Sequence, residues 1–147
     1  MFKTILWATD GSESADAALP YAKALAVQTG AALVVAHAGE YEIGARGRFA
    51  GPVHVDEPEL RAKIERQTAE LKDAGLEVSA KVVGGTNVDA AHMIADLAQE
   101  AGADVIVVGT RGHTALGGLL VGSVTQRLLH IATCPVLVVS PSVQPNG

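Results

Sequence analysis

Four short aliphatic blocks punctuate the chain: "ILWA" from Ile5, "ALVVA" from Ala32, "VIVVG" from Val105 and "VLVV" from Val136. A strand with one face in water alternates apolar and polar residues, so an unbroken aliphatic run marks a strand buried on both faces. The segments between the blocks are too long for hairpin turns, and most of them carry apolar residues at helical spacing. Strands separated in this way pair in parallel, through right-handed helical crossovers that cover both faces of one open sheet.

The boundaries follow from local chemistry. "KTILWAT" stops at "DGSES", where Ser12 or Ser14 can cap a helix. That helix is expected over 15–28, with Ala18, Tyr21, Ala22 and Leu25 on its apolar stripe and Gly30 as its stop. Pro20 falls inside it and, lacking a backbone donor, is expected to bend it. "AALVVAHA" is the second strand. Residues 39–57 show neither period, carry four glycines and read as a long mobile loop. A charged helix is expected over 58–73, opened by Pro58 and ended by Gly75. "LEVSAKVV" alternates, as a half-exposed strand near a sheet edge does. Asn87 can cap a third helix with Ala90, Ile94, Leu97 and Ala101 on one stripe. "ADVIVVG" is the fourth strand, 123–132 the fourth helix and "PVLVVS" the fifth strand. Residues 1–141 are expected to form one domain and 142–147 a disordered tail.

Composition narrows the class further. Hydrophobic residues make up 48% of the chain and aromatics only 3%, so the core is aliphatic. The mean hydropathy of +0.27 is high. No apolar run approaches the roughly 18 residues of a membrane span, so a fully buried sheet accounts for it better. The opening "MFKTILWATDGSE" turns polar too soon for a signal peptide, and a cytoplasmic protein is expected. A single cysteine, Cys134, leaves no internal disulfide or Cys-based metal cluster, and is expected as a small buried side chain. The formal charge of −5 argues against nucleic acid as a partner, which rewards basic patches. Arg46 and Arg48 make a local basic spot of two residues only.

The expected architecture is α/β: a single-domain, Rossmann-like, open five-stranded parallel sheet in the order 3-2-1-4-5. The chain reverses between strands 1 and 4, and ligands of open α/β sheets bind at the carboxyl ends of the strands beside such a switch point. The segments there are "ATDGS" and "GTRGHTALGGLLVGS". Gly109 and Gly112 can free the amides from Thr110 to His113 to face a bound group. Gly122 and Ser123 open the next helix, whose unsatisfied N–H groups and positive dipole end attract an anion. The Ser123 hydroxyl and the Val124 N–H add donors. The pattern suits a di- or triphosphate, but the same glycines also suit a plain turn before a helix capped by Ser123. A P-loop is excluded: Gly117 to Gly122 has the GxxxxG spacing and Ser123 follows, but the lysine required before that serine is missing. No GxGxxG motif supports a dinucleotide.

Gly109, Gly112, Gly122 and Ser123 form G-x2-G-x9-G-S, and with that pattern the chain resembles the nucleotide-binding members of the universal stress protein family. "VIVVGTRGHTALGGLLVGSVTQRLLHIATCPVLVVSP" is similar to the family's C-terminal half, and "ILWATDGSESADAALPYAKALA" to its N-terminal half. The resemblance covers roughly residues 2–141, with 39–57 the least family-like part. It implies an adenine nucleotide, ATP with Mg2+, bound at the switch point by a regulator of the stress response. Asp10 would meet the ribose, and Ala8, Thr9 and Val108 would wall the base. The backbone of Ala38 would read the adenine edge. Gly109, Thr110, Arg111, Gly112 and His113 would surround the phosphates, with Gly122, Ser123 and Val124 on their far side. Ala38 departs from the larger aliphatic residue expected there, which leaves a backbone contact but a looser grip on the base. The resemblance also implies a homodimer formed by the final strands, and residues 136–140 make an apolar edge without a lysine to block pairing.

Other polar residues have simpler readings. Asp10 alone could cap the helix after strand 1, and His37 reads as a structural group at a strand end. His54, His92 and His130 stand on different elements and share no metal-ligand spacing. Three functions stay open at this point: an ATP-loaded switch, a slow ATPase or an enzyme that phosphorylates its own Ser123 or Thr114, and a nucleotide-independent chaperone-like dimer. Phosphoryl transfer needs a positioned base, and only Asp10 offers one, which favours a holder of nucleotide.

Overall fold

The computed structural model describes residues 1–43, 49–52, 57–86, 89–110 and 121–141. Six strands and four helices follow in the order β1 (Thr4–Ala8), α1 (Glu13–Thr29), β2 (Ala32–Ile43), β3 (Phe49–Pro52), α2 (Glu57–Asp73), β4 (Val78–Thr86), α3 (Ala90–Ala101), β5 (Val105–Gly109), α4 (Ser123–Ile131) and β6 (Val136–Val139). The aliphatic blocks become the centre of the sheet: β1 pairs in parallel with β2 on one side and with β5 on the other. β4 adds in parallel to β2, and β6 to β5. The parallel strands therefore run β4-β2-β1-β5-β6, which is the 3-2-1-4-5 order expected from the sequence.

Alternation along the strands sorts side chains to two helical layers. Ile5, Trp7, Leu33, Val35 and Val107 face α1 and α2, packing with Ala18, Ala22, Leu60 and Ile64. Leu6, Val34, Ala36 and Ile106 face α3 and α4, packing with Ala91, Ile94, Ala98 and Leu128. Ala18, Ala22 and Ala26 are fully buried, so α1 meets the sheet through methyl groups and lies close to it. The Trp7 indole donates to the Ala15 carbonyl at 3.0 Å, so the one large aromatic of the core is satisfied.

Helix ends follow their capping chemistry, with one correction. Ser12, rather than Ser14, caps α1 by accepting the Ala15 N–H, and Gly30 closes it in the left-handed region. α1 continues through Pro20. α3 is capped by Asp89, which accepts the His92 N–H at 2.9 Å, and not by Asn87, which lies outside the described residues. Its buried face is also rotated: Ala91, Met93, Ile94 and Ala98 are buried in place of the expected Ala90, Leu97 and Ala101. The helix has enough alanine around its circumference to offer several stripes, and the sheet selects one.

Residues 39–57 depart most from expectation. β2 continues to Ile43, and 49–52 return antiparallel to it, with Tyr41 opposite Pro52 and Ile43 opposite Phe49. Gly51 and Pro52, with Gly44 and Gly47 before them in the sequence, hide these strands from a search for alternation. Arg46, Arg48, His54 and the 142–147 tail lie outside the described residues. Cys134 is half-buried against the α3–α4 layer rather than fully enclosed, and burial pushes its thiol pKa up.

Asp89 does more than cap. Its second oxygen accepts His92 Nδ1 at 2.6 Å and Arg127 of α4 at 2.9 Å, joining the starts of the two helices. The backbone hydrogen bond from His92, then the His92 and Arg127 side chains, lower its pKa from 3.8 to about 2. A depressed folded-state pKa contributes stability that is complete above the unfolded value of 3.8, declines as pH falls, and is gone below about 2. Asp89→Ala is expected to cost about 1 kcal/mol near neutral pH in urea denaturation. The difference from the native chain should close as pH falls below about 2.

Candidate functional site

The crevice is built at the carboxyl ends of β1 and β5, on opposite sides of the chain reversal. After β1 the backbone is engaged at both ends of Thr9 and at the N–H of Gly11. The Thr9 N–H donates to the Ala36 carbonyl and the Thr9 hydroxyl accepts the Gly11 N–H at 3.1 Å. His37 Nδ1 lies 2.9 Å from the Thr9 carbonyl. A carbonyl only accepts, so Nδ1 carries the proton. His37, 7% exposed, is thus a structural group as expected, but β2 runs on to Ile43 and places it inside the strand and not at its end. Asp10, half-buried, accepts the Ser12 N–H at 2.9 Å and shapes the turn, leaving the capping of α1 to Ser12. Gly11 takes the left-handed conformation, φ 80°, that this turn requires.

After β5 the chain meets three ties. The Thr110 N–H donates to the Val139 carbonyl of β6, and the Gly122 N–H donates back to the Thr110 carbonyl. The Thr125 hydroxyl, buried in α4, donates to the Gly109 carbonyl at 2.8 Å. Thr110 and Gly122 thus close a neck, with the start of α4 at the carboxyl end of β5. Gly122 is the N-cap of α4 and has no side chain with which to satisfy the first turn. Ser123 and Val124 are exposed in that turn. Arg111, Gly112, His113 and Thr114 lie outside the described residues.

Ala8, Val108 and Ala38 share the apolar cluster on the α3–α4 side of the sheet. Gly109 is buried, and its lack of a side chain has a cause within the fold. A Cβ there would lie 2.5 Å from Ser14 Oγ and press on the Ser14 carbonyl. Sequence reasoning missed Ser14, Thr125 and Lys63. The spacing of Thr125 to Leu128, one helical turn, marks a buried face; nothing in the charged run "RAKIERQ" singles out Lys63.

The phosphate fit rests on α4: its N-cap, Gly122, offers no side chain to the first-turn amides, which stand at the positive end of the helix dipole. Among the described residues no group of three or more His, Cys, Asp or Glu converges as a metal site. A Mg2+ accompanying a nucleotide would rest chiefly on phosphate oxygens and water, as this ion commonly does.

An open, doubly wound sheet with a glycine-capped helix start at its switch point defines an α/β protein of the ligand-crevice type. Residues 1–140 match the family model of the universal stress proteins, and the chain belongs to that family. It is 34% identical over 148 residues to universal stress protein YxiE of Bacillus subtilis, covering 95% of this chain and 99% of that one. Its fold superposes on a universal stress protein of Methanocaldococcus jannaschii with a TM-score of 0.73, at 27% identity, covering 100% of this chain and 99% of the other. A universal stress protein solved in complex with cAMP matches with a TM-score of 0.67 at 31% identity, covering 96% and 99% of the two chains. Among the described residues no helix is long and apolar enough to cross a membrane.

Overpacking a tight contact costs about 1–3 kcal/mol, so Gly109→Ala should lower stability by that amount in a denaturant melt. Thr125→Val should lower it by about 1–2 kcal/mol by orphaning the Gly109 carbonyl. A Gly109→Ala protein as stable as the native chain would contradict the contact with Ser14.

Proposed function

We propose that this protein is an ATP-holding switch of the stress response, working in the cytoplasm as a homodimer. The observation that carries the reading is the start of α4: Gly122 caps without a side chain, Ser123 follows with an exposed hydroxyl, and both stand at the carboxyl end of β5. The relative that binds cAMP supports an adenine nucleotide as the ligand class. In this reading Asp10 meets the ribose, while Ala8, Thr9, Val108 and the Ala38 backbone border the base. Gly109 and Thr110 with Arg111, Gly112 and His113 face the phosphates, which Gly122, Ser123 and Val124 hold from the helix side. Mg2+ arrives with the triphosphate. The absence of the P-loop lysine before Ser123 favours retention of ATP over its hydrolysis.

Protein purified natively and then heat-denatured should release adenine nucleotide, and added ATP should raise the melting temperature. Ligand at one hundred times Kd stabilises by about 2.7 kcal/mol, well within reach of a melt. Gly122→Val is expected to abolish that shift while the domain stays folded. Normal ATP binding by the variant would remove the phosphate assignment.

Homodimer formation is supported by the β6 edge. β6 pairs only with β5 among the described residues, Leu137 is 37% exposed, and no charge interrupts Val136–Val139. An unpaired apolar edge of this kind templates a second strand. Solution mass should correspond to two chains, and Leu137→Lys should shift it to one.

A further inference from the structure

We propose that Lys63 is a positioning residue for nucleotide binding: from α2 it holds the peptide plane between Gly11 and Ser12, and through that plane it orients the Asp10 carboxylate. The inference rests on the nucleotide reading above and extends it to a helix that carries none of the family's glycine motif.

The argument is geometric. Lys63 Nζ donates to the Gly11 carbonyl at 2.9 Å. The Ser12 N–H donates to Asp10 Oδ1 at 2.9 Å. The Gly11 carbonyl and the Ser12 N–H belong to one peptide unit, which is planar and turns as a rigid body. One end of that plane is gripped by the ammonium of α2, and the other end grips the carboxylate expected at the sugar. Rotation of the plane breaks both contacts together. Glycine is the residue least able to resist such a rotation by its own sterics, and Gly11 has φ 80°. Within the turn the Thr9 hydroxyl holds only the Gly11 N–H, and the Gly11 carbonyl is held from outside it, by Lys63.

Lys63 is itself held in place. Its ammonium pairs with Asp16 Oδ2 at 2.6 Å, and Gln67, one turn further along α2, donates to Asp16 Oδ1 at 3.0 Å. Lys63 and Gln67 thus bracket a carboxylate in the first turn of α1, which fixes the position of Nζ over the turn. A half-exposed ion pair of this kind contributes little stability by itself. Its consequence lies in the second hydrogen bond that the same ammonium makes.

The test compares Lys63→Met and Lys63→Arg with the native chain, titrated with ATP and with AMP. Loss of one charge-assisted hydrogen bond corresponds to about a tenfold change. Lys63→Met is expected to weaken ATP and AMP alike by that factor, because the defect lies at the nucleoside end, and Lys63→Arg should recover most of the affinity. In the nucleotide-free proteins, amide exchange at Ser12 should quicken in Lys63→Met and not in Lys63→Arg. A purely structural ion pair would lower the melting temperature and leave both affinities unchanged. That result, or a loss confined to ATP, overturns the proposal. A native chain that binds neither nucleotide overturns the functional reading first, and this inference with it. If Lys63→Met fails to fold, Lys63→Gln carries the same comparison.

Discussion

Gly109 lies against the backbone of Ser14, a contact that only a residue without Cβ can make. It brings the end of β5 onto the first turn of α1, so the two segments at the chain reversal start from a common point. Thr125 then binds the Gly109 carbonyl from α4, and Thr110 joins β6 and Gly122. The crevice inherits its shape from these few backbone contacts. A tight, hydrogen-bonded junction holds the start of α4 at the carboxyl end of β5.

Two polar clusters outside the junction act in a similar way on the two faces of the sheet. On one, Lys63 and Gln67 of α2 engage Asp16 of α1 and the Gly11 carbonyl. On the other, Asp89 joins His92 of α3 to Arg127 of α4. Exposed ion pairs contribute little net energy, but each of these fixes the start of a helix relative to a neighbour. At the amino-terminal ends of β1 and β5 Asp104 accepts the Lys3 and Thr4 N–H groups, and those two bonds hold its carboxyl below the usual carboxylate range. Directional polar contacts thus mark the strand ends, while the strand centres are aliphatic.

Much of this was legible in the residue order. Uninterrupted blocks such as "ALVVA" require burial on both faces, and the helical segments between them imply parallel pairing, so the open parallel sheet was legible, and its strand order agrees with the one expected. Glycine stops at Gly30 and Gly75 and the cap at Ser12 are local chemistry and were visible as such. The strand at 49–52 was not, because glycine and proline mask its pattern and its partner is reached only by a turn of the chain. The α3 stripe was misplaced because several alanine faces satisfy the same period. In the candidate site, the glycine spacing and Ser123 were readable, whereas Lys63 and Thr125 were not. Both act on carbonyls distant in sequence, and no local pattern records which carbonyl a donor will reach.

The sequence by itself determined the class of fold, the switch point and the glycine-serine pattern there, because each depends on period, burial or backbone freedom over a few residues. Tertiary structure alone decided that Gly109 is forced by Ser14, that Asp89 serves two helices, and that Lys63 and Asp10 hold opposite ends of one peptide plane. These are distances between segments far apart along the chain. Such distances are set by how closely helices can approach a sheet, which is a property of the packed whole.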